Sequence, residues 1–212
     1  MERGEQKTEM KIPNFEGLTF EESNHIYTLN GIVLPSVTTL MKPLSDTVYD
    51  SIDKDVLDKA ARKGTAVHSA IETYNKFGII DIDTEKKPYF DGYLKFTEEH
   101  SVKAYGSEVR LYHKELLYAG TADMFANVDG VLTLIDFKTS HSVSDMLCGV
   151  QLEAYGRAFK SHSLDFDIQQ KAIVHLKKDG SYGLHIFKVN DTECWKVFTS
   201  LITIDSYKKK FK

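Results

Sequence analysis

Cysteine is nearly absent: Cys148 and Cys194 are the only two in 212 residues. Two thiols cannot build a disulfide framework, and they cannot supply a four-cysteine zinc or iron–sulfur site. Their scarcity points to a reducing, cytoplasmic setting. No apolar run approaches the ~18 residues that a membrane-spanning helix needs. An excess of positive charge is missing too: 27 Lys+Arg against 31 Asp+Glu leave a net charge of −4. That balance excludes a protein that grips nucleic acid by bulk charge, but it permits a local basic groove. The first residues carry Glu2, Glu5 and Glu9 and no apolar stretch, so they fit neither a secretory signal nor an acid-poor transit peptide. Internal repeats and low-complexity linkers are absent as well.

What remains is an ordinary globular composition, with 42% hydrophobic residues and a mean hydropathy of −0.32. At ~150 residues per domain, the chain is one domain with an appendage. We read a polar, disordered tail over residues 1–14 and a single domain over 15–212, with core elements at about 53–190.

Asn30-Gly31 between two β-prone runs predicts a tight hairpin over 25–34. Ser36 is placed to cap a short helix that Pro43 should stop. From Asp53 to Phe77 the chain reads as one long helix, with Val56, Leu57, Ala60, Val67, Ala70, Ile71 and Tyr74 on its apolar stripe and Gly78 as its stop. Residues 88–100 form a second helix. Strands follow at Glu108–Tyr112, Leu116–Val128 and Val131–Phe137, then a helix at Val150–Phe159. Two more strands, Lys171–Lys177 and Tyr182–Val189, precede a last helix from Thr192. Strands in the middle, with helices before, between and after, imply an α/β core with a mixed sheet.

The most informative stretch is Thr121–Lys138. Asp129-Gly130 is a favoured two-residue turn because both central positions need positive φ. With Val128 facing Val131, the register sets Asp123 opposite Asp136 as a non-hydrogen-bonded pair, with Cα atoms about 4.5 Å apart. Lys138 projects from the same face. Two facing carboxylates repel, and a divalent cation relieves that better than Lys138 alone. The alternative is an edge ion pair of Asp136 and Lys138 with Asp123 in water. Ala122, Met124, Phe125, Leu134, Ile135 and Phe137 argue against it, because charges in so apolar a strand need a partner or a metal.

Ala122-Asp123 followed by Asp136-Phe137-Lys138-Thr139 resembles the signature of the PD-(D/E)XK nuclease superfamily. Gly64-Thr-Ala-Val-His68 resembles the histidine motif of its RecB-like exonuclease branch. Glu108-Val-Arg-Leu-Tyr resembles the glutamate-bearing strand, and Gln151-Leu-Glu-Ala-Tyr155 the Gln-x-x-x-Tyr helix. With Leu34-Pro-Ser-Val-Thr38 upstream, the spread is similar to the mitochondrial genome maintenance exonucleases and phage-encoded relatives, without the cluster cysteines some relatives carry.

The resemblance implies a restriction-endonuclease-like α/β core with a central mixed sheet flanked by helices, and an N-terminal hairpin and helical wall beside the site. It implies a metal-dependent DNA exonuclease acting on single strands or free ends in replication, recombination or repair. The alternatives are a structure-specific endonuclease and a non-catalytic DNA-binding subunit. Asp123, Asp136, the Phe137 carbonyl, His68 and Glu108 would hold Mg²⁺ or Mn²⁺, which suit oxygen ligands with one imidazole. Lys138 would stabilise the attacking hydroxide. Gln151, Tyr155, Thr139, Ser140, Arg62 and Lys63 would lie against DNA, with a replication or recombination protein as a further partner and no membrane contact. Glu72, one turn after His68, stands either behind that histidine or in solvent.

Overall fold

A turn that needs two positive-φ residues and receives Asn-Gly forms as expected. Asn30 (φ +48°) and Gly31 (φ +84°) join β2 (Ile26–Leu29) to β3 (Ile32–Leu34), and β1 (Leu18–Glu21) completes an antiparallel three-stranded sheet. The computed structural model describes residues 12–211. The tail reading of 1–14 therefore falls mostly outside the described residues. Ile12, the first described, is already buried against the core.

Ser36 caps α1 (Val37–Tyr49) through its side chain, which accepts the Thr39 N–H. Pro43 does not stop this helix but sits inside it. Pro43 and Thr39 are both exposed, so water can take the Thr39 carbonyl that the missing donor leaves open. Next comes α2 (Lys54–Phe77), capped by Asp53 and ended by Gly78 at φ +69°. Its stripe is buried only at Val67, Ala70 and Ile71. Val56 and Ala60 are exposed and Leu57 is half-buried, because the first turns of α2 run clear of the sheet. α3 (Lys87–Glu99) packs Tyr89, Phe90, Tyr93 and Phe96 inward.

The central sheet has five strands in sequence order: β4 (Val102–Tyr112), β5 (Ala119–Val128), β6 (Val131–Lys138), β7 (Gln170–Leu176) and β8 (Tyr182–Phe187). β5 begins later than expected, because Leu117 (φ +51°) lies in a turn closed on the His113 carbonyl. β6 and β7 are parallel and the other neighbours antiparallel. The parallel pair requires a crossover, which α4 (Asp145–Lys160) provides. α1, α4 and α5 (Thr192–Lys209) cover one face around Phe125, Leu134 and Ile173. α2 and α3 cover the other around Met124, Ile135 and Val174. The fold is α/β, a mixed five-stranded sheet between helices with a small N-terminal sheet. No helix among the described residues is long and apolar enough to cross a membrane.

Hydrogen bonds fasten the small sheet to the large one. Ala119 N–H donates to the Pro35 carbonyl at 3.0 Å, and the Tyr27 hydroxyl lies 2.8 Å from Thr121 Oγ1.

Candidate active site

Asp129-Gly130 forms the predicted turn, and β5 and β6 pair in the predicted register from Val128↔Val131 to Met124↔Ile135. There the ladder ends, one step short of Asp123 and Asp136. The next hydrogen-bonded pair would need the Phe137 N–H, but Asp123 Oδ2 accepts that amide at 2.7 Å. The Phe137 carbonyl is left for His68, whose Nε2 lies 3.0 Å away. His68 Nδ1 lies 3.5 Å from Asp123 Oδ1. The histidine thus bridges a carboxylate and a carbonyl that were both expected as metal ligands.

α2 is held in place for this by Asn75. Its amide donates to Ser107 Oγ at 3.1 Å on β4, and it accepts the Tyr93 hydroxyl at 2.5 Å from α3. A lone Asn on a long helix carries no sequence signal for such a role.

Glu108 arrives by an irregularity. The β4–β5 register shifts between Ala104 and Gly106, and Glu108 takes φ +52° within the strand. A left-handed conformation at a non-glycine residue costs on the order of 1–3 kcal/mol, and such strain clusters at functional sites. Its neighbours Ser107 and Val109 pair with Met124 and Ala122, so Glu108 stands opposite Asp123. Ligand atoms of His68, Glu108 and Asp123 lie within 4.8 Å of one another.

Asp136 is turned from that trio toward Lys138, whose Nζ lies 2.6 Å from Oδ2. The contact is held by charge rather than by hydrogen-bond geometry, and Oδ2 is buried without a hydrogen-bond partner. Lys138 Nζ also donates to Gln151 Oε1 at 3.0 Å, and Gln151 Nε2 to the Tyr155 hydroxyl at 3.2 Å. Gly120 makes room for that tyrosine: a Cβ there would sit 2.6 Å from Tyr155 Cε1. Gln151 and Tyr155 therefore form a brace behind Lys138, with Tyr155 only 4% exposed.

The charges are mutually perturbed. Burial opposes the charge on His68, but Asp123, Asp136 and Glu108 outweigh it and lift the imidazole to about 9. Burial and the Asp123 carboxylate push Glu108 up to about 7. Burial raises Asp136 to about 6, against the pull of Lys138. Asp123 is buried as well, yet the adjacent His68 holds it below the usual carboxylate range. Burial works against the Lys138 ammonium, but Asp136 and Asp123 hold its pKa above the ordinary lysine value. Three carboxylates therefore share one imidazolium and one ammonium.

That donor set fits a divalent cation of the Mg²⁺ or Mn²⁺ kind. Oxygen ligands outnumber the single imidazole, and the Asp136 carboxylate adds its negative charge to the field felt by His68 and Glu108.

The site opens onto a cleft of about 690 Å³, with His68 and Glu108 in its lining. α2 contributes Thr65, Ser69 and Lys76, while Phe20 and Arg110 line it from β1 and β4. Glu72 also lines it and pairs with Lys76 at 2.5 Å. Phe20 and Arg110 carried no functional signal in the sequence; the period-2 pattern of a hairpin accounts for an aromatic without a site. Elsewhere, Lys63 donates to the Thr139 carbonyl at 2.7 Å and to the Tyr89 hydroxyl at 3.1 Å. Thr139 is buried, Ser140 Oγ donates to the Ser142 carbonyl, and Arg62 is exposed on α2. None of these four, nor Gln151 or Tyr155, lines the cleft.

No protein-family model matches this chain, and no curated protein matches it.

Proposed function

We propose that this protein is a metal-dependent deoxyribonuclease of the RecB-like exonuclease type, hydrolysing phosphodiester bonds of DNA single strands or free ends. One observation carries the reading: His68, Glu108 and Asp123 converge within 4.8 Å beside a buried Asp136–Lys138 ion pair. A structural ion pair has no use for a strained, left-handed glutamate opposite its neighbour, whereas a cation site gains a ligand from it.

Asp123, Glu108, His68 and Asp136, with the Phe137 carbonyl, would hold a divalent cation, which would supply Lewis-acid stabilisation of the phosphate and lower the pKa of water bound to it. The chain's own groups do the rest. Glu108, opposite Asp123 and in the lining of the cleft, orients the attacking water and accepts its proton at the carboxylate. Lys138 keeps its proton and presents a fixed positive charge to the oxygens of the phosphate as negative charge builds on them. Gln151 holds the Lys138 ammonium in one position. Attack on phosphorus breaks the P–O3′ bond and leaves a 5′-phosphate and a 3′-hydroxyl.

The test is a time course on end-labelled single- and double-stranded DNA with Mg²⁺ or Mn²⁺, with covalently closed single-stranded circles alongside. Loss of the linear DNA with the circles intact, abolished by Asp136→Asn and by Lys138→Ala, is the expected result. Cleaved circles replace the exonuclease by an endonuclease. If no DNA is degraded with either ion, the enzyme reading fails.

A further inference from the structure

The cleft wall opposite α2 contains an arrangement that the metal ligands and their braces do not use. Phe20 lines the cleft with its ring against Tyr27, centroids 4.4 Å apart and planes inclined by 30°. The guanidinium of Arg110 lies 5.5 Å from the Phe20 centroid, over the ring. Arg110 is exposed, and no carboxylate lies within ion-pair distance of it among the described residues. An arginine that has no ion pair among the described residues and faces a cleft is available to an anion.

The platform is rigidly placed relative to the carboxylates. Tyr27 anchors it through its hydroxyl to Thr121, and Thr121 is the cross-strand partner of Arg110. Glu108 and Asp123 lie two residues along the same two strands. Two residues of β-strand rise about 7 Å, comparable to one phosphate-to-phosphate step of an extended nucleic-acid strand. A cleft of about 690 Å³ is the size of a small-molecule site and admits an unpaired nucleotide rather than a base pair with both its backbones.

We propose that Phe20 and Arg110 seat the unpaired nucleotide next to the scissile phosphate, Arg110 turning its guanidinium from the Phe20 ring to the phosphate and so opening that ring to the base. The proposal rests on the nuclease reading for its substrate and adds the residues that make the site select unpaired strands. Aromatic–base stacking tolerates any base, so the seat has no sequence preference. Arg110 supplies local positive charge in a chain whose net charge is −4.

The experiment measures binding and turnover separately. Binding of a short fluorescein-labelled oligothymidylate is followed by anisotropy across a salt series with Mg²⁺ present, in a Lys138→Ala background that blocks hydrolysis. Turnover is measured with the other residues native. Phe20→Ala and Phe20→Leu should each weaken binding roughly 10-fold, while Phe20→Trp retains it. Replacing the thymines by abasic positions should weaken binding to the parent but not to the Phe20 variants. Arg110→Ala should reduce the slope of log K against log salt by about 0.7, the value for one phosphate contact on a single strand, and Arg110→Lys should largely restore it. In turnover both changes raise KM more than they lower kcat. Phe20→Leu keeps apolar bulk against Tyr27, so a folding defect of the alanine variant leaves the test intact. If Phe20→Leu and Arg110→Ala bind and degrade DNA as the parent does, the seat is wrong and the nuclease reading stands. If the native chain degrades no DNA while binding depends on Phe20 and Arg110 as described, the seat stands and the nuclease reading fails.

Discussion

Asp123 accepts the backbone N–H of Phe137 at 2.7 Å, and this single bond ends the β5–β6 ladder. It fixes one carboxylate oxygen, leaves the other beside His68, and frees the Phe137 carbonyl for the same histidine. The chain has traded one ladder hydrogen bond for a preorganised cluster of donors at the end of two strands.

Asp123→Ala removes that acceptor and leaves a buried N–H without a partner, a loss of about 1–3 kcal/mol. Asp123→Asn keeps an oxygen for the amide and should lose less. Both variants remove a charge from the proposed cation site, so both should abolish any rise in melting temperature caused by Mn²⁺. Thermal melts with and without Mn²⁺ measure the two effects separately. An Asp123→Asn protein that still gains stability from Mn²⁺ would show that the cation binds elsewhere.

The protons in the site set a pH dependence. The pKa of His68 is raised to about 9, that of Glu108 to about 7 and that of Asp136 to about 6. All three lie above their values in the unfolded chain, so the folded chain holds these protons more tightly. The contribution of His68 is complete below 6.5 and is lost as pH rises through 9. That of Glu108 is complete below 4.5 and is lost through 7, and that of Asp136 is complete below 3.8 and is lost through 6. Metal-free protein should therefore melt at progressively lower temperature as pH rises from 6 to 9. A cation competes with the same protons, so stabilisation by Mg²⁺ should grow over that window. A metal effect that stays flat or shrinks between pH 6 and pH 9 contradicts this assignment.

Much of this arrangement can be read from the residues, for reasons that are local. Asp129-Gly130 sets a hairpin register by turn chemistry, and that register alone brings Asp123 alongside Asp136. Asp53 and Gly78 mark both ends of α2 because caps act within a few residues. Features that depend on distant partners could not be read the same way. The left-handed Glu108 answers to an irregularity in β4 and to the charges around it. Pro43 is tolerated because its helix face meets water. The early stripe of α2, at Val56 and Ala60, finds no sheet beneath it. Gln151 and Tyr155 share a helix face by spacing, but what they touch is Lys138, which only the tertiary fold brings there.

That brace can be tested without touching the cluster. Gln151→Leu removes the acceptor that positions Lys138 and should lower kcat about 10-fold with KM little changed, a loss typical of partners that orient active-site groups. Gly120→Ala reaches the same brace from the other side, since its methyl meets the Tyr155 ring. Both variants should leave oligonucleotide affinity intact. A rise in KM at constant kcat would instead place Gln151 in contact with substrate.

The last prediction concerns stability alone. Lys171 and Glu153, each 2% exposed, form a buried ion pair between β7 and α4. Glu153 also accepts from Arg157 Nε at 2.7 Å and from the Asp191 N–H at 3.0 Å, which ties the start of α5 to the same point. Removing one partner of a buried pair leaves an uncompensated charge, and such losses run to about 3–5 kcal/mol. Lys171→Met should fall at the lower end of that range, because Arg157 and the Asp191 amide still face the carboxylate. Adding Glu153→Gln removes the charge and keeps an acceptor for both, so the double variant should regain most of the loss. Urea unfolding of the two single variants and the double variant closes this cycle. Neither residue lines the cleft, so DNA affinity should be the same in all of them. A double variant no more stable than Lys171→Met would mean that β7 and α4 are held together by packing rather than by this charge pair.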